Sequence, residues 1–192
     1  MDPTAVIVFI GMSALIFLGT LIVVARCYRR VEQGKVLVIN RPQGEPHVAF
    51  NGAVVVPLIQ QAELMDISLK TLEIQRRGKE GLRTRNGIRV DVRATFFVMV
   101  NKTREDILQV ARTVGCARAG EPETLKTLFE GRFIEALELV CANFDAEDLA
   151  SHRGEFKDEV IKVIGRDLNG YVLDNCVIHE LASAPAVNYA QG

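Results

Sequence analysis

The sequence predicts a mixed α+β domain carried on one N-terminal membrane-spanning helix. Three observations predict it. Residues 5–25 form an uncharged apolar run, apolar residues alternate through the first half of the remaining chain, and three-and-four spacing governs the second half.

The run AVIVFIGMSALIFLGTLIVVA contains thirteen Leu, Ile, Val or Phe residues. At helical rise it spans about 31 Å, close to the thickness of a bilayer's hydrocarbon core. At roughly 0.3 to 0.6 kcal/mol for each of those residues, insertion is favoured by about 4 to 8 kcal/mol. A secretory signal would carry a basic n-region, a shorter apolar core and small residues at its cleavage site. MDPT has no Lys or Arg, and Arg26 and Tyr28 stand where small residues would be needed, so an uncleaved, single-pass anchor is expected.

Basic residues flank the anchor on one side only, at Arg26, Arg29, Arg30, Lys35 and Arg41. The positive-inside rule then puts residues 1–4 outside and everything from Arg26 onward in the cytoplasm. Residues 26–34 read as a basic juxtamembrane stem, with Arg26, Cys27, Tyr28, Arg29 and Arg30 at the membrane interface. Cys27 is either a palmitoylation site or an inert interfacial thiol.

Beyond the anchor about 160 residues remain, enough for one domain with its own core. A net charge of −1 argues against nucleic acid as a partner. Cys27, Cys116, Cys141 and Cys176 lie far apart with no C-x-x-C pair. In a cytoplasmic domain they are expected to be reduced thiols, with neither disulfides nor zinc.

The elements follow in order. Lys35 to Asn40 (KVLVIN) is a nearly continuous apolar run, as in a strand covered on both faces. Pro42, Gly44 and Pro46 break it, and two short extended pieces follow around Asn51-Gly52. Met65, Ile67 and Leu69 alternate before Leu72 and Ile74 take the opposite parity, so a bulge or bend at Lys70-Thr71 within one long strand is expected. From Ile88 to Val100 one face is apolar for seven alternations. A two-residue Asn86-Gly87 turn would put Arg83 on that face. A three-residue Arg85-Asn86-Gly87 loop with Gly87 left-handed pairs Val90 with Leu82 instead, and that register is preferred.

Thr103 with Asp106 opens a helix carrying Ile107, Leu108, Val110, Ala111 and Val114, and Gly115 ends it. Pro122 starts the next helix, with Leu125, Leu128, Phe129, Phe133, Ala136, Leu137, Val140, Cys141 and Phe144 as its stripe. Asp145 is expected to cap a third helix carrying Leu149, Phe156, Val160, Val163, Ile164 and Leu168, which Gly170 closes. YVLDNCVI then returns as a final strand.

No phosphate-cradling Gly-Lys-Ser/Thr loop, G-x-S-x-G or His pair at metal spacing occurs. His47, His152 and His179 fall on separate elements, and Glu135, Glu138, Asp158 and Glu159 fit the solvated faces of amphipathic helices. No catalytic residue, cofactor or metal ligand is expected, which shifts the weight towards binding or structure. Charge is less even. Arg76, Arg77, Lys79, Arg83, Arg85, Arg89 and Arg93 stand against Glu80 and Asp91, while residues 121–159 hold eleven acidic and four basic residues. Three readings stay open: a soluble surface with local bias, contact with anionic lipid headgroups, or contact with the acidic helices of a neighbouring copy.

YRRVEQGKVLVINRPQGEPHVAFNGAVVVPLIQQAELMDISLKTLEI resembles the opening of an SPFH (band 7) domain, the superfamily of stomatins, prohibitins and flotillins. LRTRNGIRVDVRATFFVMV is similar to its hairpin, LFEGRFIEALELVCANFDAEDLASHRGEFKDEV to its helical part and NGYVLDNCVI to its closing strand. With the anchor, the chain most resembles bacterial flotillin-like inner-membrane proteins. The resemblance implies an SPFH domain over residues 35–181 and a non-catalytic scaffold that self-associates and organises membrane microdomains or neighbouring proteins. It also implies membrane lipids and an NfeD-type membrane protein as partners. The alternative is a regulatory subunit of a membrane protease or transporter. Residues 182–192 read as a short tail in place of the family's long charged helical region.

Overall fold

The computed structural model describes residues 3–41, 44–56, 59–149 and 151–183. The tail beyond residue 183, the first two residues and the break at Pro42 lie outside them. The chain forms two compact units, residues 1–65 and 66–192.

The first unit begins with helix α1, Pro3–Cys27. Every described side chain from Phe9 to Arg26 is exposed along it. The backbone passes directly into strand β1, Tyr28–Arg30, which pairs antiparallel with β4, Gly52–Val54. Beside this ribbon lies a three-stranded sheet, in which β2 (Lys35–Asn40) runs between β3 (His47–Ala49) and β5 (Gln61–Asp66). Val36, Leu37, Val38 and Ile39 are all buried, as a continuous apolar run requires. Leu37, Ile39, Ala49 and Val55 form the small core, with Val31, Ala53 and Ala62 against it. Gly52 holds φ +146°, and a Cβ there would come within 2.8 Å of the Arg29 carbonyl oxygen, so no other residue fits.

The expected long strand across Lys70 is two strands in two different sheets. The carboxylate of Asp66 accepts from the Ser68 N–H at 2.9 Å and the Ser68 hydroxyl at 2.6 Å. It also takes the Lys70 ammonium at 2.6 Å. This side-chain turn ends β5 and restarts the chain as β6, Lys70–Arg76, with the opposite parity. A turn, and not a bulge, switches the phase.

In the second unit, β6, β8 (Arg89–Val100) and β10 (Tyr171–Ser183) form an antiparallel sheet with β8 central. Short β7, Leu82–Arg83, pairs with β8 in the expected register, Leu82 opposite Val90. Gly87 sits at φ +79° in the three-residue loop. Val90, Val92, Ala94, Phe96, Val98 and Val100 are buried on one face, and helices α3 (Pro122–Cys141) and α5 (Arg153–Ile164) cover it. Phe96 stacks on Phe133 at 4.3 Å between ring centres, and Phe129 meets Tyr171 edge-on at 5.2 Å. The Tyr171 hydroxyl donates to the Ala119 carbonyl at 3.0 Å, so the buried ring keeps its polar end satisfied.

Helix α2, Arg104–Thr113, has Thr103 as its N-cap, accepting from the Asp106 N–H at 3.2 Å. The Asp106 carboxylate in turn accepts from the hydroxyl of Thr103 and the amide of Asn101. Of its expected stripe, Ile107 and Val110 are buried, whereas Leu108, Ala111 and Val114 are half-buried.

The third expected helix is also corrected. It divides into a single turn α4, Ala146–Leu149, and α5. The Ser151 hydroxyl and the His152 N–H both close on the Asp148 carbonyl at 2.9 Å, which ends the first piece. Gly165, at φ +75°, terminates α5. Leu168 belongs to β9, Asp167–Leu168, and Asn169-Gly170 is a two-residue hairpin turn leading into β10. Both turn residues have positive φ, the signature of a primed hairpin turn.

Candidate functional site

Two regions bear the residues singled out by sequence. The first surrounds the end of α1. Among the described residues it is the one helix long and apolar enough to cross a membrane. Arg26 lies in its last turn. Cys27 is half-buried, and its carbonyl accepts the Val55 N–H at 2.9 Å. Tyr28, Arg29 and Arg30 are exposed on β1. Their backbone is engaged by β4, so the interface residues are held on a paired strand directly at the helix end.

The second region is the basic hairpin, which the structure divides in two. Arg76 reaches Glu80 at 3.2 Å and Glu138 of α3 at 3.8 Å. Arg77 bonds Glu180 of β10 at 2.5 Å, and Arg93 bonds Glu73 of β6. Arg85 forks onto Asp145, with Nε donating to Oδ1 at 3.1 Å and Nη2 to Oδ2. The hydrogen bond from Arg93 and its charge hold the Glu73 carboxyl below the usual carboxylate range. The Asp145 carboxylate raises the pKa of Arg85 in the same way. The acidic stretch 121–159 therefore meets the basic stretch within one chain, at Glu138 of α3 and at Asp145 between α3 and α4.

That leaves Lys79, Arg83 and Arg89, which make no ion pair among the described residues. Arg89 donates to the Lys79 carbonyl, and Arg83 sits directly opposite Arg89 on the β7–β8 ladder. Like charges facing each other across a ladder oppose pairing, and a bound anion would relieve them.

Sequence reasoning named the basic residues and missed Glu73, Asp145 and Glu180 as their partners. Strand register carries part of that signal: Gln75 faces Arg93 and Glu73 faces Thr95, so Glu73 lies diagonal to Arg93. Asp145 is placed by tertiary packing, with the Arg85 N–H also donating to the Phe144 carbonyl at 2.9 Å.

The titratable residues weighed for catalysis lie apart. His47 is on β3, His152 precedes α5 and His179 is exposed on β10, its ring 2.8 Å from the Thr95 hydroxyl. Cys176 is fully buried while Asp174 is exposed. Burial pushes the Cys141 thiol up to about 11 and the Cys176 thiol up to about 12, far from a reactive thiolate. Among the described residues, no three His, Cys, Asp or Glu side chains converge as metal ligands.

Residues 29–177 match the SPFH domain / Band 7 family. The chain is 32% identical over 168 residues to the flotillin family inner membrane protein YqiK of Escherichia coli (strain K12), covering 86% of this chain and 30% of that protein. It is 25% identical over 136 residues to the flotillin family inner membrane protein sll1021 of Synechocystis sp., covering 70% of this chain and 20% of that protein. The chain thus spans less than a third of the length of these relatives. An α+β fold of this element order, matched over residues 29–177, makes the chain a member of the SPFH domain / Band 7 family.

Proposed function

We infer that the protein is a membrane-anchored, non-catalytic scaffold of flotillin type. In this reading α1 spans the inner membrane once, with the N-terminus outside and the SPFH domain in the cytoplasm. Copies associate side by side and organise the surrounding lipids and membrane proteins, an NfeD-type protein among them. One observation carries it: a 25-residue helix, exposed and apolar along its described length, joins an SPFH domain without an intervening linker. Anchoring confines the domain to two dimensions, where weak lateral contacts act at high effective concentration.

The hairpin's role narrows within this proposal to Lys79, Arg83 and Arg89, the bases that no carboxylate neutralises among the described residues. Anionic headgroups or an acidic surface of a neighbouring copy would serve them equally well.

Reconstitution in lipid nanodiscs tests the assembly. Copy number per disc should rise with protein loading and fall when Lys79, Arg83 and Arg89 are all changed to Glu. A strictly monomeric protein at low and physiological salt would overturn self-association. Mild-detergent purification with a single stoichiometric partner would instead identify a regulatory subunit of a membrane protease or transporter. Labelling of an introduced Asp2→Cys by an impermeant maleimide on intact cells tests the orientation, with labelling expected.

A further inference from the structure

Helix α3 buries one side in the core, with Phe129, Phe133, Leu137 and Val140 among its buried residues. On the opposite side Leu128, Gly131, Glu135 and Leu139 are all exposed, as is Ala142 at the C-cap. Their spacings of three, four, four and three residues place them on one narrow stripe along the helix. Leu128 is 46% exposed and Leu139 54%. A single exposed leucine needs no explanation. Here two of them bracket a glycine and a carboxylate.

Gly131 stands in the middle of a 20-residue helix, where glycine is poorer than every residue except proline. A Cβ there would meet nothing within 4 Å, so packing inside the chain does not call for it. Its absence leaves a shallow notch between the leucines, which lets another backbone come close. Glu135, one turn on, makes no ion pair among the described residues. Arg132, three residues before it, donates instead to the Ile164 carbonyl at 2.7 Å.

We propose that this stripe of α3 docks a helix from another protein, one that carries a Lys or Arg at the centre of a seam of aliphatic and small residues. The three-and-four spacing is that of helix against helix, Gly131 sets the closest approach, and Glu135 selects the base. The same carboxylate rejects the other occupants. Two copies paired through this stripe, whether parallel or antiparallel about its middle, would set Glu135 against Glu135. Anionic headgroups would meet a region, residues 121–159, that holds eleven acidic and four basic residues. The proposal rests on the scaffold reading, in which the domain holds neighbouring proteins, and it gives the chemistry of one of them.

Two synthetic helical peptides of about five turns test it. They share a leucine–alanine seam on a glutamine-rich helix and differ only in Lys or Glu at the seam's centre. Binding is measured to the full chain at one copy per nanodisc of zwitterionic lipid. The Lys peptide should bind at least about tenfold more tightly than the Glu peptide, and Glu135→Lys should reverse that order. Gly131→Leu should remove binding of the Lys peptide while raising the thermal midpoint, since leucine is the better helix former. Equal affinities of the two peptides, or binding that survives Gly131→Leu, would overturn the docking face. A lowered midpoint in Gly131→Leu would make the glycine structural and overturn it too. Disulfide-linked dimers of Gly131→Cys in a Cys27→Ser background, at two copies per disc, would assign the stripe to a second copy and likewise overturn the proposal. A protein that stays monomeric at every loading yet binds the Lys peptide would remove self-association from the scaffold reading and keep the docking face.

Discussion

Arg85 and Asp145, sixty residues apart, are joined by a forked pair of hydrogen bonds that fastens the hairpin loop to the corner between α3 and α4. The same corner holds the loop's backbone, through the Arg85 N–H and the Phe144 carbonyl. Arg85→Ala should therefore loosen the loop without unfolding the sheet. Hydrogen exchange at the Arg85 amide should quicken while the amides of β8 stay protected. The double variant Arg85→Asp, Asp145→Arg should restore part of that protection. Unchanged exchange in Arg85→Ala would mean the side-chain pair contributes nothing to the docking.

Phe133 is fully buried and stacked between Phe96 and Phe129. Phe133→Ala should cost about 3–5 kcal/mol, since the deleted ring leaves a cavity that β8 and α3 can only partly close. Urea unfolding followed by a probe in the second unit measures it. Because Phe96 lines the same cavity, Phe96→Ala and Phe133→Ala should not add.

Two glycines should respond to alanine with opposite signs. Gly170 has φ +93°, and a Cβ would lie 2.8 Å from Val110 Cγ2 and 3.0 Å from the Asp106 carbonyl oxygen. Gly170→Ala should destabilise by more than about 1 kcal/mol. Gly154 lies exposed in the first turn of α5 with nothing near its absent Cβ. Gly154→Ala should be neutral or stabilise by up to about 1 kcal/mol. Thermal midpoints of the two variants give the comparison directly.

The buried thiols set a pH dependence on the alkaline side. Burial holds Cys141 at about 11, Cys176 at about 12 and the Tyr171 hydroxyl at about 12, against ordinary values of 9 and 10. Above about pH 9 the unfolded chain loses these protons while the folded chain keeps them. The unfolded state then binds fewer protons, so stability falls as pH rises from 9 towards 11–12. Urea midpoints at pH 8 and pH 10 should show a lower value at pH 10. Cys141→Ala with Cys176→Ala should flatten that slope. At pH 8 the folded protein should react with maleimide at Cys27 well before Cys141 or Cys176.

How much was legible in the sequence depended on the range of the interactions involved. The register Leu82 opposite Val90 could be read directly, because seven alternating residues leave one parity for the core and Gly87 supplies the positive φ the loop needs. The starts of α2 and α3 were legible for the same local reason, in the N-cap Thr103 and in Pro122 at the first helical position. The turn at Asp66 was not, since a parity switch is compatible with either a bulge or a turn. The Asn169-Gly170 hairpin was hidden behind the helical spacing of Leu168, which continues the stripe of α5 although it lies in β9.

The sequence by itself determined the apolar length of α1, the one-sided basic flank and the strand-then-helix order of an SPFH domain. Those are properties of composition and of periods two and 3.6, which neighbouring residues set among themselves. Only the tertiary structure decided which basic side chains have an ion pair among the described residues. Arg77, Arg85 and Arg93 look equivalent to Arg83 and Arg89 along the chain, yet Glu180, Asp145 and Glu73 engage the first three. It also decided that Tyr28 and Val54 of the β1–β4 ribbon are exposed among the described residues. Ion pairing and coverage depend on residues brought together from distant positions, and no local pattern encodes that proximity.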